Sequence, residues 1–160
     1  MALSSKILKQ FQNVECLQFH KWSDEVMLAK DSLVDLPGFE MLAHLELGKV
    51  TGEILVALLL RTPYLKTLVF DELLRLDEEP LNYDGVPDCF LTTLQVVKFG
   101  YLDGSEYQLS FAKFVIENAV ALKMMSFRPS WELRNSNLEE VKEKLYSFKK
   151  CCSFLSLEFS

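Results

Sequence analysis

The chain lacks any apolar run long enough to cross a bilayer. Its longest, Ile54 to Leu60, has seven residues, against about twenty for a spanning helix, so no membrane engagement is expected. The N-terminal stretch MALSSKILKQFQ has neither a continuous apolar core nor a small-residue cleavage site, and no secretory signal is read there. Histidine is scarce, with two residues, and the four cysteines (Cys16, Cys89, Cys151 and Cys152) form no C-x-x-C pair. The adjacent Cys151 and Cys152 are poorly placed to bridge each other, because that geometry is strained. The thiols therefore read as reduced, as in a cytoplasmic or nuclear protein, and as core or strand-edge filler rather than a zinc or redox site.

Basic excess is also missing. The net charge is −6, and Asp71 to Cys89 carries seven acids against the single base Arg75, which leaves 16 acids and 16 bases elsewhere. With no basic patch in the composition, nucleic acid is not an expected partner.

What the chain does have is apolar volume. Its 160 residues are 49% hydrophobic, with mean hydropathy +0.10 and twelve phenylalanines, enough for one domain with a single core. Leu94 to Phe127 organises it: a strand through Val97 and Phe99, a crossover helix, and a second strand through Met125 and Phe127. The same L-x-x-L-x-L spacing recurs six times: Val14, Leu17, Phe19; Leu42, Leu45, Leu47; Leu65, Leu68, Phe70; Leu94, Val97, Phe99; Leu122, Met125, Phe127; and Phe154, Leu157, Phe159. The central residues stand at 17, 45, 68, 97, 125 and 157, so successive separations are 28, 23, 29, 28 and 32 residues. These are close to the roughly 20 to 29 of leucine-rich repeats. The asparagine or cysteine expected five residues after each centre is absent; Trp22, Val50, Leu73, Leu102 and Ser130 stand there instead.

Between strands the periodicity turns helical. Thr51 is a candidate N-cap for a helix through Arg61, with Ile54, Leu55, Leu58 and Leu59 on one stripe and Pro63 stopping it. Ser110 is read as the cap of a second helix burying Phe111, Phe114, Val115 and Leu122. Ser136 with Glu139 suggests a capping box before a third, striped by Leu138, Val141, Leu145 and Phe148. Ser23 to Leu33 is a weaker helix candidate. Leu73 to Asp88, rich in acids and carrying Pro80, Gly85 and Pro87, reads as a long exposed connection that opens on a helical turn. Parallel strands need a crossover of about a dozen residues or more, and every gap supplies one. The expected fold is an α/β leucine-rich-repeat solenoid with a parallel sheet on one face and crossover helices on the other. Residues 1–85 form irregular repeats with the acidic loop, and residues 86–160 continue the same solenoid.

Because side chains alternate along a strand, the residues between the buried ones face outward. Gln18, His44, Glu46, Thr67, Val69, Lys98, Met124 and Ser126 form the candidate partner-contact face, with Val96, Ser156 and Glu158 beside them. No catalytic, cofactor or metal site is legible. His44 beside Glu46 resembles a base pair for acid-base work, but no nucleophile or ligand spacing completes it. Gly48-Lys49-Val50-Thr51-Gly52 sits where phosphate loops occur, yet lacks their spacing. Trp22 and Trp131 each follow a strand, where a tryptophan either covers the core or anchors a partner. The alternative class, a small α/β enzyme, would need convergent side chains at the strand C-termini. A first strand covered by only thirteen preceding residues predicts self-association through an uncapped end.

Several stretches together resemble one family. VPDC at Val86 to Cys89, Gly100 and Gly104 around a turn, the Phe114 to Ala119 helix ending in Glu117-Asn118-Ala119, and the closing Cys152 to Phe159 strand are similar to the FBD domain. That domain closes plant F-box/LRR-repeat/FBD proteins, and FEMLAHLELG and RTPYLKTLVFDE look like the last repeats of the same proteins. The resemblance implies a non-catalytic protein-interaction module at the substrate-recognition end of a ubiquitin-ligase adaptor. LPGFE at Leu36 is not read as an F-box, so a Skp-type adaptor is not an expected partner. A truncated relative with no partner of its own is the remaining alternative.

Overall fold

The computed structural model describes residues 9–18, 36–75, 85–149 and 154–160. Among these are six strands, β1 (Cys16–Gln18), β2 (His44–Thr51), β3 (Thr67–Leu74), β4 (Val96–Leu102), β5 (Met124–Pro129) and β6 (Ser156–Phe159). Five helices accompany them: α1 (Gly52–Leu59), α2 (Asp88–Thr92), α3 (Glu106–Asn118), α4 (Trp131–Arg134) and α5 (Leu138–Phe148). The strands make one sheet in the order β1 to β6, and every neighbouring pair is parallel. All six apolar segments thus become adjacent rungs. The six central residues, Leu17, Leu45, Leu68, Val97, Met125 and Leu157, lie opposite one another from strand to strand.

The inward ridge two residues further on is largely aromatic. Phe70, Phe99, Phe127 and Phe159 occupy equivalent register positions, with ring centroids 4.5, 5.0 and 5.3 Å apart in succession. Phe111 of α3 meets both Phe70 and Phe99 at 5.9 Å. Offset and tilted ring pairs of this kind add to the gain from burial alone. Where a repeat asparagine is missing, Val50, Leu73 and Leu102 are buried instead, so an apolar ridge fills that position. β4 carries one residue more than β5 there: Phe99 faces Phe127 and Leu102 faces Pro129, which sets Gly100 and Tyr101 against Arg128 as in a β-bulge.

The helices close the core on the side of these ridges. Thr51 caps α1 by accepting from the Ile54 amide at 3.3 Å, and Ile54, Leu55, Leu58 and Leu59 are all buried. The helix stops at Leu59, two residues before the expected Arg61, and beyond it the buried Thr62 hydroxyl donates to the Leu58 and Leu59 carbonyls.

The expected Ser110 cap is corrected. α3 begins at Glu106, and Ser105 is its N-cap, accepting from the Gln108 amide at 3.3 Å. Ser105-x-x-Gln108 is a capping-box pattern, and the buried Gln108 carboxamide accepts from the Asp103 amide at 2.9 Å and donates to the Tyr101 carbonyl at 3.2 Å. Gly104, at φ +81°, makes the turn that permits this. Ser110 lies inside α3, and Leu122 is buried beyond its end, in the segment entering β5. The expected Ser136 box is likewise not formed: its hydroxyl donates to the Glu132 carbonyl at 2.8 Å, and Asn137 is the N-cap of α5. The α5 stripe itself holds, with Val141 and Leu145 buried and Leu138 and Phe148 packed against the core.

Three further differences concern the ends of elements. Phe154, which the spacing turns inward, is 93% exposed, and Leu155 takes the buried place before β6. Leu73 and Leu74 finish β3 rather than starting a helical turn. Val86 to Cys89 leads into the short helix α2, which buries Cys89 and Phe90. Phe19, Ser23 to Leu33, His20, Trp22, Cys151 and Cys152 lie outside the described residues, as does most of the acidic connection.

Candidate functional site: the open sheet face

With one sheet and its helices on one side, the outward residues of successive strands fall into rows. Cys16, His44, Thr67, Val96, Met124 and Ser156 form the first in register, and Gln18, Glu46, Val69, Lys98, Ser126 and Glu158 the second. All eight residues read from the sequence as a contact face are thereby brought together on one surface. Gln18 and Lys98 are exposed, whereas His44, Glu46, Thr67, Val69, Met124 and Ser126 are half-buried among their neighbours. Val69, Val96 and Met124 give the middle of the face an apolar floor.

The charges on this face are of both signs. His44 Nε2 lies 3.3 Å from Glu46 Oε2, two positions along the same strand and therefore on the same side. Towards the strand C-termini, Lys49 Nζ meets Glu72 Oε2 at 3.4 Å. Lys49 therefore sits in β2 and pairs across the sheet rather than forming part of a phosphate loop. Among the described residues no group of three His, Cys, Asp or Glu side chains is placed to hold a metal ion. Cys89, buried in α2, has its thiol pushed up to about 12 by desolvation, with a smaller upward contribution from the Asp88 carboxylate and backbone hydrogen bonds opposing both.

Three residues of the face escaped the sequence reading. Cys16 precedes Leu17 in the first row, and Arg128 and Tyr101 flank the bulge on the exposed side. Period-two alternation run one residue further would have found Cys16 and Arg128; Tyr101 required knowledge of the bulge. Trp131 does not cover the core, since it is 75% exposed.

The fold and this face define the molecule as an α/β protein built on a six-stranded parallel sheet, one side of which the helices of the described residues leave open. No helix of the described residues is long and apolar enough to cross a membrane. Residues 82–127, from the end of the acidic connection through β5's Phe127, match the FBD family. Over 116 residues, 71% of this chain and 26% of the other, the sequence is 28% identical to an F-box/FBD/LRR-repeat protein of Arabidopsis thaliana. A putative F-box/FBD/LRR-repeat protein of the same plant is 28% identical over 105 residues, 64% of this chain and 24% of its own. The chain thus spans about a quarter of the length of these curated relatives. No solved structure matches.

Proposed function

We propose that this chain is a non-catalytic protein-interaction module of the F-box/FBD/LRR kind, and that its open sheet face is the surface that meets a protein partner. The observation that carries this is the register: six strands in sequential order turn scattered outward residues into two continuous rows. Such a surface suits the shallow, extended contact of a recognition module better than the deep polar cleft of an enzyme. In this reading residues 1–85 are irregular leucine-rich repeats, residues 86–160 continue them as the FBD portion, and the sheet is a segment of solenoid. The partner is a protein held at the substrate-recognition end of a ubiquitin-ligase adaptor, in the cytoplasm or nucleus, with neither nucleic acid nor membrane engaged.

The test is affinity capture from plant extract with the wild-type chain and a Val69→Asp, Lys98→Glu double variant. Proteins retained by the first and lost from the second support the face as the contact surface. Equal capture by both, or recovery of a Skp-type adaptor by the chain itself, counts against the reading.

A further inference from the structure

The second row of the open face carries a charge on every other strand. Glu46 of β2, Lys98 of β4 and Glu158 of β6 stand in register, separated by the uncharged Val69 of β3 and Ser126 of β5. Lys98 and Glu158 are exposed and Glu46 is half-buried. Among the described residues Lys98 and Glu158 have no ion pair, and Glu46 lies against His44, which is charged only when protonated.

The strands as a whole repeat this banding. β2 and β3 hold the acids Glu46, Asp71 and Glu72 against Lys49, which pairs with Glu72; β4 and β5 hold Lys98 and Arg128 and no acid; β6 holds Glu158. The charges next to the strands lie outside these rows. Glu15, Lys66 and Lys123 stand one residue before the first row, in phase with the inner ridges. At the other border Arg75 lies over the Tyr107 ring of α3, and the Asp103 carboxylate accepts from the Ser105 amide. The face is thus acidic, basic and acidic in turn, and a surface complementary to it is basic, acidic and basic.

Spacing selects the backbone that can present such a pattern. Neighbouring strands lie about 4.8 Å apart, so the charges of the row recur at about 9.6 Å. A polyproline II chain brings every third side chain to one side at about 9.3 Å. An α-helix offers about 10.5 Å between i and i+7, which overruns the row by about 2 Å over its length, and a β-strand offers about 6.8 or 13.6 Å. A docked helix also calls for an apolar groove, whereas Val69, Val96 and Met124, the apolar side chains of the face, are already half-buried. Strand addition needs a free edge, and β2 to β5 have a strand on both sides.

We infer that the occupant of the open face is a polyproline II segment of a partner protein, with a basic, an acidic and a basic side chain at i, i+3 and i+6, an inference that rests on that face being the contact surface. The segment runs across the strands, its bases over Glu46 and Glu158 and its acid over Lys98. A second copy of this chain is the wrong occupant, because no stretch of the sequence places base, acid and base at i, i+3 and i+6.

Fluorescence anisotropy on the full chain, with three labelled proline-rich peptides of about ten residues, tests this. The first carries lysine, glutamate and lysine at i, i+3 and i+6; the second has the same composition with the charges at i, i+2 and i+4; the third has the first peptide's charges inverted. The first is expected to bind saturably, with affinity that falls as salt rises, and the other two about fivefold more weakly or worse. Lys98→Glu weakens the first peptide by a similar factor, and Lys144→Glu in α5 leaves it unchanged. A Glu46→Lys, Lys98→Glu, Glu158→Lys variant reverses the preference and takes the inverted peptide, which a variant that had merely lost its fold would not do. Equal binding of the first two peptides, binding of none, or a triple variant that keeps the wild-type preference overturns the inference. If Val69→Asp, Lys98→Glu still abolishes capture from extract in that case, the face remains the contact surface and only the occupant assigned to it is wrong.

Discussion

Gly100 of β4 lies so close to Asp71 of β3 that a β-carbon built on the glycine would stand 2.7 Å from the Asp71 Cα and 2.9 Å from its carbonyl oxygen. Both are backbone atoms, so no side-chain rotation relieves the contact. The glycine sits where β4 inserts its extra residue against β5, and it lets the neighbouring strand approach at the bulge.

Gly100→Ala is therefore expected to destabilise the fold by about 1–3 kcal/mol, the usual cost of forcing extra volume into a packed region. Urea denaturation measures it. A stability equal to wild type would show that the two strands separate freely there.

The phenylalanine ridge predicts a contrast. Phe99→Ala removes a buried ring that touches Phe70, Phe111 and Phe127, a loss of about 3–5 kcal/mol, and Phe99→Leu loses a smaller amount. Phe154→Ala changes stability by less than about 0.5 kcal/mol, because its ring is exposed. Chemical denaturation of the three variants checks the order.

Helix capping gives a second contrast. Ser105→Ala loses the bond to the Gln108 amide and is expected to cost about 1 kcal/mol. Ser136→Ala, whose hydroxyl caps nothing in α5, stays within about 0.5 kcal/mol of wild type. A larger loss from the second than from the first would refute the assignment of the caps.

Cys89 makes stability fall with alkali. Its thiol, with an ordinary value of 9.0, is held at about 12 in the folded chain, so the native state keeps a proton that the unfolded state releases. The contribution is complete below pH 9 and is lost as pH rises from there towards 12. Denaturation midpoints of wild type and Cys89→Ala across this range should converge. In the folded protein iodoacetamide labels the exposed Cys16, while Cys89 reacts only after unfolding, as peptide mass spectrometry would show.

Self-association is the fifth expectation. β1 is three residues long, and among the described residues it pairs with β2 alone, which leaves one side of a short edge strand to another chain. Light scattering on purified protein is expected to show mass above that of the monomer as concentration rises. A monomer throughout counts against it.

Much of the sheet was legible because one residue type does one job there. Leu17, Leu45, Leu68, Val97, Met125 and Leu157 are spaced by crossovers long enough for parallel pairing, and the outward row followed from alternation alone. The helix starts were less legible because several serines compete for the same role. Ser105 and Ser110 both stand before the apolar stripe that starts at Phe111, and the turn at Asp103 to Gly104, with the side chain of Gln108 folded back, selects Ser105; Ser136 is passed over in the same way, Asn137 being the N-cap of α5. Phe154 was misplaced because Leu155 offers a neighbouring apolar side chain for the same pocket.

The stacked rings have a further consequence. β3 and β6 share no hydrogen bond, yet Phe70, Phe99, Phe127 and Phe159 touch in sequence between them. Loosening one ring deprives the next of its support, so protection of amides from solvent exchange should decay together across these four strands rather than peel away from the last one inward.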